Sequence, residues 1–98
     1  MDFKVVFRDS FLEDLEQIVR SVAQHNQTAA LQLGATVIEM GESLSFFPER
    51  HPRVRERPSM RRFIAARHFK VFYRVHRDTK LVEILRCWDG RRASDPRV

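Results

Sequence analysis

The sequence predicts an α+β domain of order β-α-α-β-β-β, with an N-terminal helical hairpin packed on one face of a small antiparallel-rich sheet. Three observations predict it. Phe69, Val71, Tyr73 and Val75 alternate strictly with His68, Lys70, Phe72, Arg74 and His76, the pattern of a strand with one apolar face. Two stretches nearer the start instead carry apolar residues at helical spacing, separated by a short polar linker. Finally, 98 residues can bury one modest core, so the helices have to cover the apolar face of the sheet.

The elements follow in order. Residues 3–8 (Phe-Lys-Val-Val-Phe-Arg) are short, apolar and β-branched, and read as the first strand. Asp9 or Ser10 is a good N-cap for a helix over 10–25, and Glu13 completes a capping box with Ser10. Leu12, Leu15, Ile18, Val19 and Val22 form its apolar stripe. Asn26 or Thr28 caps a second helix over 28–46, whose stripe is Ala30, Leu33, Val37, Met40 and Leu44. A linker this short makes the two helices an antiparallel hairpin. Gly34 and Gly41 lie on one side of the second helix and cost helix propensity, which suits close approach of the partner helix. Pro48, Pro52 and Pro58 exclude regular structure from 47–59, which reads as a basic loop. Strands then follow over 60–65, 68–76 and 80–88, with Arg-Asp-Thr-Lys (77–80) as the last turn. Residues 89–98 read as a turn and a short, mobile, basic tail. The whole chain is expected to be a single domain.

Composition narrows the function. No apolar run approaches the roughly 20 residues that span a bilayer, and the Met-Asp-Phe-Lys start lacks the features of a signal peptide. The lone Cys87 cannot pair within the chain and sits in a strand, which suits an inert buried thiol in a reducing compartment. A cytoplasmic protein is the expectation. Charge is sharply segregated: residues 1–49 hold three Lys/Arg against eight Asp/Glu, whereas residues 50–98 hold fifteen against five. The second half therefore balances to +10 and points to a polyanionic or acidic partner. On this reading one face of the sheet is apolar and the other cationic, with Phe72 an aromatic among the cations.

An ordered set of segments resembles the RelE/ParE superfamily of bacterial toxins from type II toxin–antitoxin modules. Ser10-Phe11-Leu12-Glu13-Asp14-Leu15-Glu16-Gln17-Ile18 is similar to the family's opening helix, and Ala29-Ala30, Ser43-Leu44 and Phe47-Pro48-Glu49 to its second helix and exit. Arg61-Arg62-Phe63 and Phe69-Lys70-Val71-Phe72-Tyr73-Arg74-Val75 resemble its central hairpin. Val82-Glu83-Ile84-Leu85-Arg86 and Gly90-Arg91-Arg92 resemble its last strand and terminal arginine motif. The long helical hairpin and the Ser-Leu…Phe-Pro-Glu exit look more like the ParE side, whose members poison DNA gyrase. RelE-like members instead cut mRNA in the ribosome without a metal.

Metal-free RNA cleavage by 2′-OH attack needs a base, a cation at the phosphate and an acid for the leaving oxygen. Arg61, Lys70, Arg74 and Arg92 are cations enough, and Lys70 falls where RelE-like nucleases carry an arginine. Those nucleases commonly place a Tyr or a His-Tyr pair near the C-terminus, whereas here no Tyr or His follows His76. Asp89 stands where many relatives have a histidine, and His51, His76 and Asp89 are the weak catalytic candidates left. Tyr73 lies on the apolar face and reads as core. His25, His51, His68 and His76 are too scattered for a metal site, and there is no Gly-rich phosphate loop, so no metal or cofactor is expected.

The resemblance thus implies a growth-arresting, plasmid-stabilising toxin that binds gyrase through a basic face and tail, with Arg61, Arg62, Lys70, Arg74, Arg91 and Arg92 as target-binding residues. A cognate antitoxin would cover Lys70, Phe72 and Arg74 with a disordered acidic-amphipathic segment, and the complex would bind operator DNA through the antitoxin. The ribosome-dependent nuclease acting on mRNA is the alternative. A non-toxic nucleic-acid-binding module built on Lys70-Phe72-Arg74 is a further one.

Overall fold

The structure, a computed structural model, describes residues 2–92 and 94–96. Strand β1 (Lys4–Phe7) leads directly into helix α1 (Asp9–Ala23), and helix α2 (Gln27–Glu42) returns against it. Two single 3-10 turns, Ser43–Ser45 and Pro48–Arg50, precede β2 (Arg53–Val54), β3 (Arg57–Ala65), β4 (Phe69–His76) and β5 (Leu81–Asp89). The strands form one sheet in the order β1-β5-β4-β3-β2. β1 runs parallel to β5, while the other neighbours are antiparallel. This is the expected α+β arrangement, with the helices on one face of the sheet. Among the described residues no helix is long and apolar enough to cross a membrane.

The helices bury their apolar sides together with Phe63, Phe69, Val71, Tyr73, Val82, Ile84 and Cys87 of the sheet. In α1 the deepest residue is Phe11, fully buried, whereas the expected stripe member Leu12 is 45% exposed. The capping box does not form either. Helix α1 begins one residue early, its N-cap is Arg8, and no side chain caps it. Ser10 lies inside the helix, where its Oγ donates to the carbonyl of Leu85 at 2.7 Å. Asn26 does cap α2, its Oδ1 accepting from the backbone N–H of Ala29 at 3.0 Å.

The glycines of α2 serve two different neighbours. A methyl at Gly34 would meet Val19 of α1 at 3.5 Å, an ordinary contact. One at Gly41 would fall 2.7 Å from the ring of Phe7, so Gly41 makes room for β1 rather than for a helix. Gly34→Ala is therefore expected to stabilise by about 1 kcal/mol through helix propensity. Gly41→Ala is expected to destabilise by about 1–2 kcal/mol, since Phe7 is wedged against Phe11 at 5.4 Å between ring centroids. Thermal melts of the two variants should move in opposite directions.

A bulge in β5 shapes the other side of the sheet. Tyr73 pairs with Ile84 and Phe72 with Arg86, leaving Leu85 as an extra residue. Leu85 thereby joins Val54, Met60 and Phe72 in a second apolar cluster, with Trp88 packed against it. The carbonyl of the extra residue is the one that Ser10 satisfies. The sheet therefore does not have one apolar and one cationic face. Phe72, expected among exposed cations, is only 2% exposed.

The segment 47–59 is likewise more ordered than its prolines suggest. Pro58 sits where β3 has yet to pair with β4 and where the β2–β3 register is irregular, so its missing N–H costs the ladder nothing. The basic tail 89–98 was expected to be mobile. Its residues 94–96 instead fold back, Pro96 fully buried, while Ala93, Arg97 and Val98 lie outside the described residues.

Candidate functional site

Alternation along β3 and β4 decides which basic residues share a surface. Phe63, Ala65, Val71 and Tyr73 face the helices, so Arg62, Lys70 and Arg74 fall on the outer face with Phe72. Arg61 is opposite Tyr73 and falls on the helix side. Its guanidinium donates to the carbonyls of His51 at 2.7 Å and Glu49 at 3.1 Å, fastening the 48–51 segment. The adjacent pair Arg61 and Arg62 thus divides between a structural clamp and an outer cation.

On the outer face, Val54, Arg57, Arg62, Lys70, Phe72 and Asp95 line a groove of about 500 Å³. The returning C-terminal segment closes one side of it. Lys70 Nζ meets Asp95 at 2.8 Å, Arg57 donates to the Pro96 carbonyl at 2.8 Å, and Trp88 Nε1 to the Ser94 carbonyl at 2.6 Å. Arg92 stacks over the Trp88 ring at 4.3 Å. Arg91 is held by Asp89, with Nε at 3.0 Å and Nη2 at 2.8 Å, yet stays exposed. Arg62 and Arg74 lack an ion-pair or side-chain hydrogen-bond partner among the described residues. The expected target residues thus form four groups: Arg61 clamped to the 48–51 segment, Arg62 with Arg74 open, Lys70 occupied by Asp95, and Arg91 with Arg92 beside Trp88.

The catalytic candidates are not gathered. His51 packs its ring on Phe63 at 5.4 Å, and burial, then the neighbouring Arg50, lowers its pKa. His76 Nε2 lies 2.5 Å from Glu83, which also binds Arg8 at 2.8 Å. The hydrogen bond from His76, seconded by Arg8, holds the Glu83 carboxyl below its ordinary range. Asp89 is drawn down to about 2, chiefly by its hydrogen bond with Arg91. Asp89 is opposite Phe69 whereas His76 is opposite Leu81. Seven residues of strand, roughly 23 Å, therefore separate them along β4. No group of three or more potential metal ligands occurs among the described residues.

Tyr73 is a core residue with a polar tip. Its hydroxyl donates to the Pro48 carbonyl at 2.6 Å, and burial pushes its pKa up to about 12. Burial also pushes the Cys87 thiol to about 12. The unfolded chain would release these protons near 10.0 and 9.0, while the folded protein retains them. Both groups thus contribute stability that is complete below pH 9.0 and lost as pH rises toward about 12. Tyr73→Phe is expected to flatten the fall in melting temperature above pH 10.0, while costing about 1 kcal/mol at neutral pH through the lost hydrogen bond.

Three features of the structure had no signal in the sequence. Arg57 lay in the supposed loop, and Asp95 lay 25 residues from the Lys70 it neutralises, with no local pattern to join them. The bidentate contact of Arg86 with Asp14, at 2.6 and 3.0 Å, also had no sequence signal.

Comparison with known proteins follows the fold. No curated protein matches the chain. Among solved structures, the chain is similar to a chain of the chromosomal ParDE toxin–antitoxin system of P. aeruginosa, at a TM-score of 0.77 and 21% identity over 89% of this chain and 95% of that one. It is also similar to a chain of the RelBE2 toxin–antitoxin complex of Mycobacterium tuberculosis, at a TM-score of 0.65 and 24% identity over 96% and 95%. The isolated E. coli RelE toxin gives 0.55 and 15% over 93% and 87%. At these identities the likeness establishes the fold alone. The family model of the ParE toxin of the type II toxin–antitoxin system parDE, however, matches residues 5–94, nearly the whole sequence. The chain belongs to the ParE toxin family and is the toxin of a type II toxin–antitoxin system.

Proposed function

We propose that this toxin arrests growth by binding and poisoning DNA gyrase, without cutting a substrate itself. The observation that carries this reading is the separation of His51, His76 and Asp89 from one another; the histidine beside Asp89 is His68, at 3.9 Å, and its Nε2 is buried away from solvent. His51 is packed on Phe63 on the helix side, while His76 and Asp89 occupy opposite ends of the β4–β5 hairpin. His76 is tied to Glu83, and Asp89 is held ionised by Arg91. Catalysis by proton transfer needs an acid and a base within reach of one reacting centre. A binding surface needs only presented charge, which Arg62 and Arg74 supply on the outer face. Arg91 and Arg92 extend that surface past Trp88.

A cognate antitoxin neutralises the toxin on this reading, as the ParDE and RelBE2 systems pair toxin with antitoxin. The antitoxin covers Lys70 and Arg74, with Phe72 as a buried floor rather than a contact. Operator DNA is read by the antitoxin within the complex. The test is a reconstitution with purified components. Added to gyrase and supercoiled DNA, the chain is expected to accumulate cleaved DNA that stays covalently bound to gyrase. Cleaved mRNA in a translating extract, with gyrase unaffected, would reverse the assignment in favour of the ribosome-dependent nuclease.

A further inference from the structure

Two aromatic side chains stand exposed where the chain leaves α2. Phe46 is 51% exposed and Phe47 is 82% exposed, the largest value among the exposed large apolar residues. Phe47 is also held in the left-handed region, at φ 45° and ψ 55°, where a bulky L-residue costs about 1 kcal/mol or more. Packing of the ring does not account for that conformation, because the ring is turned to solvent.

The segment bearing them is rigid. Arg50 donates to the carbonyls of Phe46 at 2.7 Å and Ser43 at 3.3 Å, and to Ser43 Oγ at 2.5 Å. Tyr73 and Arg61 fix Pro48, Glu49 and His51 from the sheet. The aromatic pair, with Phe3, lines a groove of about 600 Å³ whose rim carries Arg50, Arg77 and Lys80. The one carboxylate in the lining, Glu49, is bound by Arg77 and shared with Arg61 at 3.8 Å. The rim is therefore net positive around an apolar floor. Exposed aromatics held by hydrogen bonds and bordered by net positive charge have the anatomy of an interface hot spot.

We infer that this groove is the anchoring site for an acidic amphipathic segment of the cognate antitoxin. Its apolar side chains would seat against Phe46 and Phe47, and its carboxylates would face Arg50 and Arg77. The inference rests on the antitoxin reading above and adds a second contact surface to the one at Lys70 and Arg74. It also relocates the aromatic contact, since Phe72 is buried and Phe46 and Phe47 are not.

The deciding variant is Phe47→Gly, which removes the ring and releases the left-handed strain together. A merely structural role for Phe47 predicts a lower melting temperature, whereas the docking role predicts an equal or higher one. Titration calorimetry with the purified cognate antitoxin should then give a dissociation constant at least about tenfold above that of the parent. Phe46→Ser with Arg77→Glu should weaken binding in the same direction. Expressed alone, Phe47→Gly should arrest growth as the parent does, while co-expressed antitoxin should no longer rescue. A dissociation constant within twofold of the parent's overturns the inference, as does an antitoxin that fails to bind the parent chain. Loss of growth arrest in Phe47→Gly would assign the groove to the target instead. A self-association of the parent chain abolished by Phe47→Gly would assign it to a second copy. If the parent never arrests growth, the toxin reading fails, yet the ratio of dissociation constants still decides the groove.

Discussion

Arg62→Glu combined with Arg74→Gln is expected to abolish growth arrest while leaving the fold intact. The two guanidiniums lie on the outer face without a side-chain partner among the described residues, so their removal strands no buried charge. Glutamine is chosen at position 74 because Arg74 is paired in register with Glu83, and a second carboxylate there would be directly opposite the first. A repulsive charge in place of an attractive one costs several kcal/mol at an interface, so target affinity should fall by on the order of a hundredfold. The melting temperature should stay within about 2 °C, since both half-buried side chains form no ion pair or side-chain hydrogen bond among the described residues. Arg61 does not belong in this experiment, since its guanidinium holds the Glu49 and His51 carbonyls and its loss would perturb the fold. Intact growth arrest in the double variant would remove the outer face from the mechanism.

Asp14→Ala carries the largest expected loss of stability. The carboxylate takes Arg86 Nε at 2.6 Å, Arg86 Nη2 at 3.0 Å and the backbone N–H of Cys87 at 3.1 Å. It therefore ties α1 to β5 just beyond the bulge. Both partners are mostly buried, with side-chain exposures of 15% and 21%. Losing the carboxylate removes two contacts from the guanidinium and one from a peptide N–H, at a cost of about 3 kcal/mol. For a domain of this size that corresponds to a fall of roughly 15 °C in melting temperature. Asp14→Asn keeps an acceptor and should lose less. Equal stability of Asp14→Ala and the parent would show that the pair does no more than balance its desolvation.

The sequence carried the architecture because period is a local property. Helical spacing in 10–25 and 28–46 and strict alternation in 68–76 each report a face, and one core can satisfy those faces in few ways. The site was read less well because its arrangement depends on two non-local events. The extra residue Leu85 redirects the end of β5, which no count of alternating residues in Leu81–Asp89 discloses. The return of residues 94–96 places Asp95 on Lys70, and no local pattern joins two positions so far apart in the chain. Phe72 was misplaced for the same reason, since alternation put it on the outer face correctly but did not foresee a second cluster there. Leu12 was expected in the stripe where Phe11 is buried, an error of one position at the start of a helix whose other stripe residues Leu15, Ile18, Val19 and Val22 do pack in the core.

Whether the toxin acts on gyrase, as proposed, is decided by pulse-labelling after induction of the chain alone in bacteria. DNA and protein synthesis are followed separately in the minutes after induction. DNA synthesis is expected to stop first, accompanied by a DNA-damage response. Protein synthesis halting within minutes while replication continues would contradict the proposal.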